Sequence, residues 1–239
     1  MRLLVFLNRD VHASTALELL FPHLRKHEVK IILSEKVGNI ANLPPELLEM
    51  RRCEQNFDQE IFSRIARNFG HEVATYSSAN SEIALDDFKK FSPDLIVSIR
   101  FGQIFKQPLI NIPRLGVLNL HSGLLPNYRG VLATFWAILH GEEKIGTTLH
   151  YITDASIDTG DIVGFSESKV DHDSSLVSNI TNLYHGGCSL LLESLEKIFN
   201  GEKIKIVKQS ELGEGKYFSY PTADDIKKFL SLNSVKSLF

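Results

Sequence analysis

The sequence has 239 residues, enough for one large domain or one and a half, with ample apolar material for a core. Apolar residues are 43% and charged residues 23%, and the net charge of −3 disfavours a broad nucleic-acid-binding surface. The two cysteines, Cys53 and Cys188, lie far apart without CxxC spacing, which argues against a disulfide framework or structural zinc and fits a reducing compartment.

The N-terminal MRLLVFLNRD is too short in apolar length for a signal peptide. No run approaches the roughly 18 apolar residues of a membrane helix. A cytoplasmic protein without a membrane partner is expected. Residues 2–7 (RLLVFL) have the near-continuous apolar pattern of a strand covered on both faces. After NRDVHAS, Ser14 is the expected N-cap of a helix from Thr15 to about His27, with Pro22 inside it. A second strand is read at 29–33 (VKIIL), a turn at Leu43-Pro44-Pro45, and a helix from about Asp58 to Asn68.

The alternation continues with a strand at 71–76, a helix at 81–91 broken by Pro93, a buried strand at 94–99, and a short helical turn within 104–112. The strand GVLNLH (116–121) follows, then a helix over 131–141 closed by Gly141. Alternation of this kind predicts an α/β fold: a Rossmann-like, mostly parallel, doubly wound sheet with helices on both faces. Two extended runs, 146–153 and 161–170, read as a hairpin added to that sheet. Residues 174–199 form the longest helix, with Ser174 as its cap and Gly186-Gly187 marking close packing or a kink. The tail carries a strand at 203–207 (KIKIV), a glycine-rich turn (GEGKYF) and the helix TADDIKKFL. The expected division is a catalytic domain over 1–200 and a C-terminal strand/helix extension over 201–239.

Within 116–130, GVLNLHSGLLPNYRG, a buried strand runs up to a histidine and then unravels. Residues two apart in a strand share a face, so Asn119 and His121 project together from the C-terminal end of a central strand. Ligands of open α/β sheets bind at such ends. An amide donor beside an imidazole can hold a developing oxyanion and move a proton. In TDASIDTGDIV, Asp158 sits at the tip of the hairpin, where a carboxylate can orient His121; Asp154 and Asp161 are competitors on sequence alone.

NLHSGLLPNYRG followed by ATFWAILHGEEKIGTTLHYITDASIDTGDIV resembles the formyltransferase family that uses 10-formyltetrahydrofolate. The resemblance is strongest over 94–165 and looser from residue 1 to about 200. It implies a catalytic triad of Asn119, His121 and Asp158, with the folate co-substrate at the strand ends. It further implies that the pterin ring lies against Phe101, Gly102, Gln103 and Ile104 and against Gly123, Leu124, Leu125 and Pro126. Arg129 reads either as a carboxylate or phosphate anchor or as a solvated loop arginine.

Within the family, the tRNA enzymes add a C-terminal barrel of about a hundred residues, a typical small-domain size, which the tail 201–239 is too short to form. The purine-pathway enzymes carry a glycine-rich phosphate loop after the first strand; NRDVHAST has no glycine. The resemblance therefore implies a nucleotide-sugar N-formyltransferase, acting on a dTDP-4-amino-4,6-dideoxyhexose in O-antigen or other surface-polysaccharide synthesis, with UDP-linked amino sugars second and glycinamide ribonucleotide behind them. GKYFSYPTADDIKKF resembles the tail of that subgroup. Tyr217, Phe218 and Tyr220 read as a nucleobase stack or as core or dimer contacts, and Asn8, Arg9 and His12 as contacts to the sugar or pyrophosphate. The apolar tail SVKSLF suggests a homodimer. The rival readings are a formyltetrahydrofolate hydrolase and a folate- or nucleotide-binding protein without catalysis.

Overall fold

The computed structural model of the chain describes residues 1–34 and 42–239. In chain order the elements are β1 (Arg2–Leu7), α1 (Val11–Leu24), β2 (Glu28–Ser34), α2 (Pro45–Gln55), α3 (Ile61–Asn68), β3 (Glu72–Tyr76), α4 (Glu82–Phe91), β4 (Leu95–Ile99), α5 (Gln107–Ile110) and β5 (Val117–His121). They continue with β6 (Arg129–Gly130), α6 (Ala133–Leu139), β7 (Lys144–Tyr151), β8 (Ile162–Lys169), α7 (Leu176–Phe199), β9 (Tyr217–Phe218) and α8 (Ala223–Ser231). Strands β1 to β5 are parallel, and β7 and β8 extend the sheet antiparallel, in the order β3-β2-β1-β4-β5-β7-β8. The direction of winding reverses between β1 and β4, which opens a crevice at their C-terminal ends.

Alternation within β1 explains why both faces are covered. Leu3, Val5 and Leu7 join the larger core, beneath α1 and α7, while Leu4 and Phe6 join a second core with Phe88 and Phe105. No helix among the described residues is long and apolar enough to cross a membrane.

Several expected boundaries move, each for a local reason. Helix α1 starts at Val11 because Asp10 is its cap, its carboxylate accepting from the Ala13 N–H at 2.8 Å. Ser14 instead donates to the Val11 carbonyl at 2.8 Å, and the helix stops at Leu24. The Pro44-Pro45 pair opens α2, an unforeseen helix, since a proline at the first helical position gives up an N–H that has no partner there. Asp58 precedes α3 rather than lying in it, accepting from the Glu60 N–H at 3.0 Å. Ser175, not Ser174, caps α7.

The strand expected at 203–207 does not form. Only Val207 pairs, reciprocally with Ile162, and Ile206 is exposed because no second layer covers that face. The tail instead adds β9 parallel to the short β6 and sets Phe229 of α8 in a stack on Phe135 of α6, centroids 4.5 Å apart.

Candidate active site

Strand β5 delivers Asn119 and His121 to the crevice, and the antiparallel β7 sets His150 opposite Asn119 and Thr148 opposite His121. Directly opposed residues share a sheet face, so a second histidine and a hydroxyl join the pair. The Asn119 amide nitrogen lies 3.0 Å from His150 Nε2 and 3.5 Å from Asp158 Oδ1. His150 Nδ1 is 2.9 Å from the Tyr151 carbonyl, so this nitrogen donates and Nε2 accepts from Asn119. His121 Nε2 is 2.7 Å from the Tyr128 carbonyl and donates to it. That bond leaves Nδ1 as the basic nitrogen, 3.6 Å from Asp158 Oδ2. This distance is too long for a hydrogen bond, yet short enough to stabilise a proton arriving there.

Asp158 adopts φ +54° in the connection between β7 and β8, a left-handed conformation that Asp tolerates better than most residues. Gly160, two residues on, is dictated by contact: a Cβ there would lie 1.8 Å from the Tyr151 carbonyl oxygen. The carboxylate accepts from the Gly130 N–H at 2.9 Å. Burial alone would raise its pKa; the His121 charge, His150 and the Gly130 N–H outweigh burial and hold it well below the usual carboxylate range. Of the two competing aspartates, Asp154 also lines the cleft but its carboxylate accepts from the Ser156 N–H in its own turn, and Asp161 is not among the lining residues.

A second polar group, not anticipated from the sequence, lies beyond β1 and β4. Arg100, at φ +55°, donates to Asp10 at 2.8 Å and lies 3.5 Å from Glu54. Burial opposes the Arg100 charge, but the Asp10 and Glu54 carboxylates raise its pKa. Burial pushes the Tyr184 hydroxyl up to about 12. Asn8 donates to Asp10 at 2.7 Å. Among the described residues, three of the five non-glycine positive-φ positions, Arg100, Leu132 and Asp158, line the crevice, and strained backbone of this kind gathers at functional sites.

The crevice is a cleft of about 350 Å³. Asn119, His121, His150 and Asp158 lie along it, with Asn8, Phe101, Gly102, Gln103, Ile104, Tyr217 and Tyr220 from the sequence-derived set. Leu47, Met50 and Arg51 of α2, Arg100, Gly130 and Ile152 complete much of the wall. Gly123, Leu124, Leu125 and Pro126, also expected at the folate, are not among the residues that line the cleft. Thr148 anchors that segment, donating to the Gly123 carbonyl at 2.6 Å and accepting from the Leu125 N–H at 3.1 Å.

Three expected substrate contacts have protein partners instead in this structure. His12 is fully buried between Thr181 and Glu54, at 2.8 and 2.9 Å, because α1 begins early enough to turn it into the core. Arg129 donates to the Gly215 carbonyl at 3.0 Å and so secures the tail. Arg9 leaves the cleft to bond Thr75 at 2.9 Å. Among the described residues no group of three or more His, Cys, Asp or Glu side chains is arranged to hold a metal ion.

Comparison with known proteins places this geometry. The methionyl-tRNA formyltransferase of Clostridioides difficile (strain 630) is 36% identical over 127 residues, 53% of this chain and 41% of its own length. The chain spans less than half the length of such relatives. Glycinamide ribonucleotide transformylase 1 from Symbiobacterium toebii shares the fold at TM-score 0.65 and 17% identity, over 87% of this chain and 94% of that one. An N-formyltransferase from Helicobacter canadensis, solved with folinic acid and dTDP-3-aminofucose, does so at TM-score 0.59 and 22% identity, over 95% and 72%. The sequence profile of the formyl transferase family matches residues 38–193, well over half of the 239 residues, and the chain belongs to that family.

Proposed function

We propose that the protein transfers the formyl group of 10-formyltetrahydrofolate to the amine of a nucleotide-linked amino sugar, a dTDP-4-amino-4,6-dideoxyhexose of surface-polysaccharide synthesis. The observation that carries the reading is the meeting of Asn119, His121 and Asp158 in one cleft, Asp158 being 3.5 Å from the first and 3.6 Å from the second. The neutral amine attacks the formyl carbon, and the carbonyl electrons move onto oxygen. Asn119 gives up its long contact to Asp158 and donates to that oxyanion. Donors of this kind contribute about 3–4 kcal/mol. His121 Nδ1 takes the amine proton as an imidazolium beside Asp158. The tetrahedral centre then collapses, the bond to N10 breaks, and the proton passes to N10. Proton transfer of this kind supplies about 10²–10⁴-fold.

The apolar wall suits a flat ring: Phe101 and Ile152 pack against the core that holds Phe105, and Gly102, Gln103 and Ile104 continue it. The opposite wall suits an acceptor. Tyr217 is 51% exposed and available for stacking, and the Tyr220 hydroxyl accepts from Arg51 at 3.2 Å. The division into a catalytic unit over 1–200 and an extension over 201–239, a cytoplasmic setting and a homodimer belong to the same reading. The dTDP-linked ligand of the Helicobacter canadensis protein supports the choice of acceptor class.

A second reading, methionyl-tRNA as acceptor, has its own support in the 33–37% identity to enzymes of that name. The two separate in one assay: tetrahydrofolate formation with dTDP- and UDP-amino sugars, glycinamide ribonucleotide and charged tRNA. Turnover with a dTDP-amino sugar is expected. Turnover with charged tRNA alone overturns the acceptor, and formate release without any amine indicates hydrolysis.

A further inference from the structure

Gln209 is 8% exposed and lies in the short 3₁₀ turn Gln209–Glu211 of the tail, far from the family motif in sequence. Its side-chain nitrogen donates to two carbonyls at once, Asp158 at 2.9 Å and Gly160 at 2.8 Å. These bracket the turn that holds the Asp158 carboxylate, the turn with φ +54° and with Gly160 pressed on the Tyr151 backbone. Two residues earlier, Val207 exchanges both backbone bonds with Ile162, each 2.8 Å, which fixes where Gln209 sits.

The same tail then reaches the other side of the carboxylate. Lys216 donates to the Pro126 carbonyl at 3.1 Å, and Val131 donates to Phe218 at 2.8 Å. Those pairings hold Gly130, whose N–H donates to Asp158 Oδ2. One segment therefore fixes both the backbone that carries the carboxylate and the amide that binds it. A flexible turn at 158 would leave the 3.6 Å approach to His121 undefined.

We propose that Gln209 is a positioning residue for the transfer reaction: its amide locks the Asp158 turn so that the carboxylate faces His121. The inference rests on the roles given to Asp158 and His121 above. It assigns the tail a part in the chemistry distinct from acceptor recognition.

The test compares the full chain with Gln209→Met, which keeps length and loses the donors, with Gln209→Ala, with Asp158→Asn, and with the Gln209→Met/Asp158→Asn pair. Folding is checked by circular dichroism. Two readouts are taken: kcat and KM, and the titration of the His121 ring followed by NMR, which needs no turnover. Gln209→Met is expected to lower kcat roughly 10- to 100-fold, as a small misplacement does, with KM for folate nearly unchanged. Its His121 midpoint moves in the same direction as that of Asp158→Asn. In the pair, the Gln209 change adds little, because both act through one group. An unchanged His121 midpoint in Gln209→Met and Gln209→Ala, or equal fold-losses in the two backgrounds, overturns the proposal. If the wild-type chain transfers formyl to no amine, the functional reading fails, and the titration still decides the role of Gln209.

Discussion

At the residue scale, the hydrogen bond made by His121 sets which of its ring nitrogens can take up a proton. Its Nε2 is committed to the Tyr128 carbonyl, so only Nδ1 is free to accept a proton, and Asp158 is placed on that side. Asp158→Asn keeps the shape and removes the charge; kcat is expected to fall by about 10²–10⁴-fold, with smaller changes in KM, measured by steady-state kinetics. The same carboxylate ties stability to pH. Its folded pKa lies below the ordinary value of 3.8, so its contribution is complete above that value and is lost as pH falls below it. Urea midpoints from pH 6 to pH 3 should therefore fall less steeply in Asp158→Asn than in the native chain. An unchanged slope would contradict the charge environment described. The meeting of Asn119, His121 and Asp158 in one cleft was legible because a period-two strand ends in NLH and a long motif follows. His150 was not: it stands in a strand whose neighbour is fixed only by tertiary pairing, and nothing local in GTTLHYIT marks it.

At the element scale, turns and caps hold the site. Gly160→Ala forces a Cβ against the Tyr151 carbonyl oxygen, so the β7–β8 connection must shift. A lower melting temperature and a much reduced kcat are expected together. Helix α8 depends on the Phe135–Phe229 stack, and Phe229 is 2% exposed. Phe229→Ala should cost about 3–5 kcal/mol in chemical denaturation. A polar cavity at the start of β2 and β3 holds His27 and His71, each with one unpartnered ring nitrogen. Burial lowers both pKa values. The folded protein thus binds protons at these rings less readily than the unfolded chain does near 6.5, so stability is full above that value and is lost as pH falls below it. His71→Gln should flatten the loss between pH 7 and pH 5. The strands were readable from apolar runs and turn residues. Helix α2 hid behind Pro44-Pro45, where a helix start and a turn look alike. The isolated KIKIV run had strand periodicity but no partner to pair with beyond Val207.

At the scale of the whole molecule, the switch between β1 and β4 opens the cleft, the β7–β8 hairpin closes one side with His150 and Asp158, and the tail closes another with Tyr217 and Tyr220 while its Gln209 bonds the backbone of the Asp158 turn. The doubly wound order followed from strand–helix alternation. The tail's docking did not, because the β6–β9 pairing and the Phe135–Phe229 stack join segments distant in sequence that no local pattern connects. Helix α2 and the tail together form one wall of that cleft, with Leu47, Met50, Arg51, Tyr217 and Tyr220. Formyl transfer from 10-formyltetrahydrofolate to a dTDP-amino sugar, followed by mass spectrometry in the native chain and in His121→Ala, tests the central claim most directly. The account predicts the N-formyl sugar from the native chain and a loss of at least about 10²-fold in the variant. Equal product from both would contradict it.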